Sequence, residues 1–258
     1  MTESQSSKTT SLPQYVISPS DTMCERGKEK EYFSVGLGAL DVCKRALRGT
    51  IPNSIVDFPS GYGRVTRWFR HEWPAAKITA VEIDQSALDF VHSSFRATPV
   101  VGNPDLSFTL EPGANLIFSG SLLTHLDEWQ WDRFLRIAID ALAPDGVLVF
   151  TTHGRIGALL AEQRHPVYGD TIDTKRLYDA YKTTGFAFLP YAEEYPTFGL
   201  SLSSPEWIMR KLQALPGISI VAFEEGGWGQ DVVAVRRHPW PMVLPDFRPN
   251  ATGADHGS

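Results

Sequence analysis

Short apolar runs alternate with amphipathic stretches between residues 54 and 151 of the chain. Runs rich in Val, Ile, Leu and Phe predict strands, and the segments between them repeat apolar residues at helical spacing. The predicted strands span residues 54–58, 77–82, 97–102, 115–119 and 147–151, and the predicted helices span 64–71, 86–95 and 129–142. Because strands alternate with helices, we expect an α/β fold with a mostly parallel sheet.

The chain on either side of this region follows other patterns. Apolar residues between positions 31 and 47 suit an amphipathic helix ahead of the first strand. After residue 154, prolines, tyrosines and glycines interrupt any long periodicity, and helical pieces at 174–183 and 204–215 flank an apolar run at 186–191. We expect an insertion that packs over the carboxyl edge of the sheet.

Two further apolar runs, 218–223 and 231–237, predict an antiparallel pair that returns to the sheet. The polar N-terminus (1–11) and the Pro-, Asp- and Gly-rich C-terminus suggest mobile ends. The expected organisation is an N-terminal tail and lid helix (1–50), a ligand-binding core (51–154), an insertion or cap (155–216), closing strands (217–240) and a disordered tail (241–258).

The turn after the first strand carries the main chemical signal. Pro59 cannot extend a strand ladder, and Gly61 and Gly63 tolerate positive φ and let a ligand approach bare backbone. The helix that follows offers unpaired N–H groups to such a ligand. The second strand ends at Glu82, where an acid is placed to accept hydrogen bonds from ribose hydroxyls. The glycine turn and Glu82 are therefore both expected to contact one ligand that contains a nucleoside.

The string Asp-x-Pro-x-Gly-x-Gly that starts at Asp57 resembles the first motif of the class I S-adenosylmethionine (SAM) dependent methyltransferases, in a bacterial small-molecule branch with Pro at the first glycine. The stretch from Leu116 to Gly154 also resembles the fourth and fifth strands of that family. The resemblance implies a Rossmann-like methyltransferase fold, with a seven-stranded, mostly parallel sheet, an antiparallel last strand and an insertion cap after the fifth strand. It implies SAM as the cofactor and a small-molecule acceptor, such as a sugar or secondary metabolite.

The resemblance also implies which residues bind the cofactor. They are Asp57, Pro59, Ser60, Gly61, Tyr62 and Gly63 in the first turn, Glu82 and Ile83 after the second strand, and Ser119, Gly120 and Ser121 after the fourth. Asn103 or Asp105 would reach the adenine amino group, although simple turn chemistry explains the same two residues. Met23 and Tyr32 would lie over the cofactor as lid residues, and packing is the alternative role for each.

Methyl transfer from a sulfonium needs mainly alignment and exclusion of water, and a general base is required when the acceptor is a hydroxyl or a charged amine. His125 and His153 are the candidate catalytic bases because both follow strands at the carboxyl edge, with His125 ahead because it lies close to Ser119, Gly120 and Ser121. The alternative for each is the commoner role of a loop histidine, which is hydrogen bonding or packing against the cofactor. A metal site would need two or three clustered carboxylates near the fourth strand, and the sequence does not establish that geometry for the helix-terminal acids Asp127, Glu128 and Asp132, so we expect no metal. The insertion could form an apolar acceptor pocket with polar tips from Tyr168, Tyr191, Tyr195 and Trp207, and a structural cap with buried aromatics explains the same residues equally well.

Composition narrows the range of partners. The 258 residues are 42% hydrophobic and 21% charged, as in an ordinary globular protein. The formal net charge of −6, with acids and bases interspersed, disfavours a nucleic-acid partner. No apolar run approaches the roughly 20 residues of a membrane helix, and the N-terminus lacks a secretory apolar core, so we expect a cytoplasmic protein with no membrane association.

Two other functions share the expected fold. One is a non-catalytic regulatory protein that binds SAM or S-adenosylhomocysteine (SAH), and the other is an aminopropyltransferase. The latter requires acids that grasp a polyamine, whereas the fourth-strand edge here carries Ser119, Gly120 and Ser121. The sequence leaves the oligomeric state open between a monomer and a homodimer.

Overall fold

The structure is a computed structural model that describes residues 15–165, 168 and 172–239. Its strands are β1 (Ser54–Asp57), β2 (Lys77–Glu82), β3 (Thr98–Val101), β4 (Ala114–Ser119), β5 (Leu142–Thr152), β6 (Phe186–Pro190), β7 (Gly199–Ser203), β8 (Ile218–Glu224) and β9 (Asp231–Arg237). Its helices are α1 (Glu29–Leu47), α2 (Thr66–Glu72), α3 (Gln85–Phe95), α4 (Glu128–Ala141), α5 (Arg155–Glu162), α6 (Thr174–Thr184) and α7 (Pro205–Gln213).

A seven-stranded sheet with the order β3-β2-β1-β4-β5-β9-β8 forms the centre of the molecule. The pairs from β3 to β5 are parallel, whereas β9 is antiparallel to both β5 and β8. This arrangement confirms the expected fold class. The chain switches direction across the sheet between β1 and β4, where open α/β sheets bind ligands at the carboxyl ends of their strands. We call this side of the sheet the carboxyl edge.

Helices cover both faces of the sheet. Leu40 of α1, Phe69 of α2 and Leu88 of α3 are buried in one apolar layer, and Trp131 of α4 and Ile208 of α7 are buried in the other. Asp127 caps α4 by accepting a hydrogen bond from the backbone. The two layers fix β1 and β4 from both sides, so the strand ends at the carboxyl edge are rigidly placed.

The segment after β5 forms a small cap with its own core. Helices α5 and α6 pack beside an antiparallel pair, β6 and β7. Leu177, Ala187, Leu200 and Leu202 are buried between these elements. Helix α7, by contrast, packs in the main apolar layer, because its Trp207 meets the Trp131 ring of α4 edge-on. Trp207 also stacks on Phe186 at the start of β6.

Three local features differ from the sequence expectations. Helix α5 and strand β7 lie in a region whose pattern predicts neither, because the eight-residue helix contains Gly157 and the strand alternates Leu with Ser between glycine and serine ends. The predicted turn at 143–146 is an irregularity inside β5, where Asp145 takes a φ of 63° while the pairing with β4 shifts register.

The expected mobile ends, residues 1–11 and 241–258, lie outside the described residues. Among the residues that are described, no helix has both the length and the apolar character needed to span a bilayer.

Candidate functional site

The turn between β1 and α2 lies at the centre of the carboxyl edge. Gly61 and Gly63 have φ values of 48° and 78°, and the Phe58–Pro59 peptide bond is cis. A Cβ atom on Gly63 would lie 2.6 Å from the ring of Phe95, whereas a Cβ atom on Gly61 would meet nothing within 4 Å. Gly63 is therefore required by packing inside the protein, and Gly61 presents bare backbone to open space, as expected of a ligand-binding turn.

Glu82 is tied to this turn by backbone hydrogen bonds. The Gly61 N–H donates to Oε2 over 3.0 Å, and the Ile83 N–H donates to Oε1 over 2.7 Å. A carboxylate offers about four lone-pair sites, so Glu82 can accept further donors from a ligand. The side chain of Ile83 beside it is 61% exposed. The structure thus brings an acid and an exposed apolar side chain together next to the open turn.

Ser60 and Tyr62 brace the turn against its neighbours. The Ser60 N–H donates to Val81 O over 2.9 Å, and the serine is buried. The Tyr62 hydroxyl bonds to Asp84 and Ser86 at the start of α3, over 3.0 and 2.5 Å. These contacts engage both predicted cofactor residues in holding the turn to β2 and α3.

Asp57 ends β1 beneath the turn and is almost completely buried. The Thr66 hydroxyl donates to its carboxylate over 2.5 Å. Burial raises the pKa of the Asp57 carboxyl to about 7, and the nearby Glu82 adds to this rise while the Thr66 hydrogen bond opposes it. A carboxylate with this pKa is poised to respond to a positive charge bound near the turn.

The N-terminal segment lies against the same turn through a buried polar cluster. Tyr32 is buried and donates its hydroxyl to Asp21 over 2.6 Å, which favours the packing role for this residue. Arg67 donates to Gly63 O over 2.9 Å and to Val16 O over 2.7 Å, and so connects the turn to the start of the described chain. Met23 is 63% exposed.

Asn103 and Asp105 are engaged in their own turn. The Asn103 side chain accepts from the Ser107 N–H over 2.8 Å and donates to the Ser107 hydroxyl over 3.0 Å. Asp105 accepts from the same hydroxyl over 3.0 Å. The turn alternative therefore accounts for both side chains.

The end of β4 meets β5 and the β8–β9 loop in a polar network. Ser119 is fully buried, and its Oγ has no hydrogen-bond partner among the described residues. The Ser121 N–H donates to Thr151 Oγ1 over 2.8 Å. The Gln230 side chain bonds to the hydroxyl of Thr151 and to the hydroxyl of Ser121. A Cβ atom on Gly120 would lie about 3 Å from two aromatic rings. This close packing fixes the path of the chain after β4.

His125 is held between the loop after β4 and the cap. Its Nδ1 lies 3.0 Å from Gly199 O and 2.8 Å from the Tyr191 hydroxyl. A carbonyl can only accept, so Nδ1 carries the proton of the neutral ring and the lone pair resides on Nε2. Burial lowers the pKa of His125 below its ordinary value of 6.5. The imidazole is therefore neutral at pH 7 and able to accept a proton at Nε2.

His153 follows β5 on the other side of this region. Its ring lies edge-on to Tyr168, with 5.4 Å between the ring centroids, and its Nδ1 is buried without a partner among the described residues. Burial lowers the pKa of His153 to about 4, and the neighbouring His125 contributes to this shift. Burial likewise raises the pKa of Tyr168 and of Tyr191 to about 12. All four rings are therefore uncharged at neutral pH.

Of the four aromatic residues considered for the acceptor pocket, the fold places two beside the histidines and two elsewhere. Tyr191 and Tyr168 each contact one of the two histidines. Tyr195 is 67% exposed, and Trp207 is buried in the main apolar layer on α7. The structural alternative accounts for Trp207, because this side chain packs against Trp131.

Several site residues escape the sequence patterns. Thr151 and Gln230 contact each other from β5 and the β8–β9 loop, and Arg67 contacts Val16. Asp231 begins β9 at the carboxyl edge with one carboxylate oxygen buried and without a partner among the described residues. The feature that indicates Asp231 is the predicted antiparallel return of the last strands, because the pairing of β9 with β5 brings the start of β9 next to Thr152. Within the described part of the chain, no group of three or more His, Cys, Asp or Glu side chains could hold a metal ion.

Comparison with known proteins agrees with this geometry. Residues 55–146 match the model of a family described as a methyltransferase domain. No curated protein sequence matches the chain. Similar solved structures are DhpI in complex with SAH (TM-score 0.51, 19% identity, covering 81% of this chain and 87% of that chain), the PH0226 protein from Pyrococcus horikoshii OT3 (0.59, 11%, 81% and 92%) and the plantazolicin methyltransferase BpumL in complex with SAH (0.55, 10%, 82% and 87%). Residues 55–146 are therefore similar to a methyltransferase domain, and the chain shares the fold of these solved structures.

Proposed function

We propose that this protein transfers a methyl group from SAM to a hydroxyl group of a small, uncharged acceptor. The observation that carries the proposal is the geometry of His125, whose Nδ1 is engaged by Gly199 and whose Nε2 is left to accept a proton. This histidine stands after β4, next to the strand that carries the open glycine turn.

The residues of the carboxyl edge fit SAM. Gly61 leaves room for a ligand against backbone, Glu82 keeps lone pairs for ribose hydroxyls, and the exposed Ile83 offers an apolar surface to adenine. Ser119 Oγ is a buried hydroxyl that a ligand would satisfy. When bound, SAM supplies a methyl group that is attached to a sulfonium sulfur. Once the methyl group is transferred, the rest of the cofactor leaves as a neutral thioether.

The protein's own part in the reaction is to orient the acceptor, exclude water and remove one proton. His125 Nε2 would take the proton of the acceptor hydroxyl as the oxygen gains its methyl group. The Gly199 carbonyl accepts from Nδ1 and so keeps Nε2 as the basic atom, while the Tyr191 hydroxyl contacts the ring from the same side. The four uncharged rings around this position favour a neutral acceptor, because a charged group would lose its hydration without gaining a counter-ion.

The proposal is tested by binding first and turnover second. Isothermal titration calorimetry should show binding of both SAM and SAH to the purified protein. Incubation with methyl-labelled SAM and a panel of phenols, glycosides and amines should transfer label to hydroxyl compounds. His125→Asn should lower kcat by about 100-fold or more and leave the Kd for SAH unchanged.

The alternatives predict other outcomes. Failure to bind either SAM or SAH would refute the proposal. Binding of both without turnover on any acceptor would favour the regulatory alternative. Transfer of label to amines alone, with full activity in His125→Asn, would exclude the hydroxyl acceptor and the role of the histidine.

A further inference from the structure

We infer that residues 240–247, which directly follow the described part of the chain, pack into the groove between α4 and α7. This groove has a volume of about 1390 Å³ and is lined by both helices, by the segment after α7 and by the end of β9. It is separate from the candidate functional site, because its lining residues include neither the glycine turn nor either candidate histidine. The inference therefore goes beyond the proposed function and does not depend on it.

Most of the surface of the groove is apolar. The apolar side chains that line it include Leu135 and Ile139 of α4, Trp207 of α7, and Leu215 and Pro216 just after α7. Ile139 and Leu215 are only half-buried among the described residues. Apolar surface around a cavity of this size costs free energy while water fills it. The groove therefore favours an apolar occupant.

The chain leaves the sheet at this groove. His238 and Pro239, which follow β9, form part of its wall. The His238 N–H donates to Gly217 O over 2.7 Å, so the backbone is fixed between the end of β9 and the start of β8. A segment that begins at residue 240 is therefore tethered at the groove, and tethering replaces a bimolecular encounter with an intramolecular one.

The next eight residues have the composition that an apolar groove requires. From Trp240 to Phe247 the sequence reads Trp-Pro-Met-Val-Leu-Pro-Asp-Phe. Its prolines fix φ and favour an extended backbone, so docking costs less conformational entropy than it would for a segment without proline. Beyond Phe247 the residues are mostly polar or small, and the inference leaves residues 248–258 as the expected disordered tail.

The segment is also long enough to follow the groove. Helix α4 has 14 residues and is therefore about 21 Å long. Its residues line the groove from Glu128 near the start of the helix to Asp140 near the end. Eight extended residues span about 25 Å, at roughly 3.1 Å each. The segment can therefore run beside α7 from the end of β9 back to the start of α4.

The charges beside the groove suit this direction. The acids Glu128 and Asp132 are already paired with Lys211. Arg210, by contrast, makes one hydrogen bond among the described residues, over 3.4 Å to the last carbonyl of α6. Asp246 is the only charged residue between positions 240 and 247. Lying about 22 Å along the extended segment, it reaches Arg210 and gives the guanidinium a carboxylate partner.

Photo-crosslinking of the full chain tests the inference. Benzoylphenylalanine would replace Phe247 at the far end of the segment, and in a control protein it would replace Ala254 in the remainder of the tail. After irradiation, mass spectrometry identifies the crosslinked residues and shows whether they belong to the same chain. We expect the label at position 247 to crosslink, within one chain, to residues of α4, α6 or α7 that border the groove. The label at position 254 should show no such preference.

A matched pair of substitutions tests the same contact through stability. Leu244→Asp should lower the thermal midpoint by about 3–6 °C, because the charge would lose its hydration in the apolar groove and the segment would be released. Ala254→Asp adds the same charge to the tail and should leave the midpoint unchanged within about 1 °C. Differential scanning fluorimetry measures both variants.

The other outcomes would overturn the inference. Crosslinks from position 247 to a second molecule would show that the groove takes the tail of another copy. Crosslinks scattered over the surface, or equal midpoints in Leu244→Asp and Ala254→Asp, would show that residues 240–247 do not occupy the groove. Neither measurement involves SAM, so these outcomes leave the proposed function untouched.

Discussion

At the glycine turn, some residues are required for packing inside the protein and others face the open side of the turn. Gly63 has no room for a side chain because of Phe95, while Gly61 has room on every side within the protein. Asp57 is buried beneath both. The consequences of changing Gly61 or Asp57 can therefore be separated from simple loss of packing.

Gly61→Val should abolish SAH binding while it lowers stability only modestly. The branched side chain would occupy the space in which the ligand contacts backbone, and the positive φ adds roughly 1–2 kcal/mol of strain. Gly49→Val is a matched control, because Gly49 has a φ of 86° and open space around it, but lies just after α1. Calorimetry and urea unfolding of both variants should show similar losses of stability and loss of binding in Gly61→Val alone. Equal SAH affinity in the two variants would argue against the site.

Asp57→Asn should change how stability depends on pH. Folded Asp57 keeps its proton up to about pH 7, whereas an ordinary aspartate releases it near 3.8, so the folded state binds more protons between these values. The wild type should therefore lose free energy of unfolding as the pH rises from about 4 to about 7, and little more above that. The variant lacks this contribution, so its stability relative to the wild type should increase across the same window. Urea unfolding at several pH values measures the difference, and a constant difference would contradict the raised pKa.

At the scale of elements, α7 joins the cap to the main sheet layer. Trp207 stacks on Phe186 at the start of β6, with 4.4 Å between the ring centroids, and contacts Trp131 of α4 at 5.0 Å. We propose that the part of the cap that selects the acceptor is formed by α5, α6, β6 and β7, and that α7 anchors it. The anchor should therefore matter for stability, and the exposed cap residues should not.

Trp207→Ala should destabilise the protein by about 3–5 kcal/mol, because it leaves a large cavity between α4 and β6. Tyr195→Ala, at a side chain that is 67% exposed, should change the free energy of unfolding by about 0.5 kcal/mol or less. Urea unfolding monitored by circular dichroism compares the two. Comparable effects from both substitutions would show that α7 is not the anchor.

At the scale of the whole molecule, the ligand site joins elements from across the sheet, so binding should stabilise the fold globally. SAH at 100 times its Kd should add about 2.7 kcal/mol to the free energy of unfolding. For a chain of this size that corresponds to a rise in the thermal midpoint of about 5–10 °C. Differential scanning fluorimetry with the wild type and Gly61→Val measures it, and a similar rise in both proteins would contradict binding at the turn.

The parts of this molecule that the sequence predicts are encoded locally. The glycine turn and the acid at Glu82 are both recognised from neighbouring residues. The hydrogen-bond partners of the site's side chains cannot be recognised from neighbouring residues, because each pair lies far apart in the sequence. Thr151 and Gln230 are 79 positions apart, and His125 and Tyr191 are 66 apart, so only the folded sheet and cap bring them together.

The hydrogen bonds that β7 makes to the loop after β4 have a consequence for how this protein can diversify. Gly199 N donates to His125 O and Ser201 N donates to Thr124 O, over 3.1 and 2.8 Å. Backbone pairs of this kind accept almost any side chains, so a chimera carrying a foreign β6–β7 hairpin could still dock on the loop. The side-chain contacts that such an exchange would lose include the Tyr191 hydroxyl on His125 and the Ser201 hydroxyl on Leu123 O. Under the proposed function, new acceptor preferences can therefore be inherited as a hairpin, provided that the incoming segment brings its own partner for the histidine.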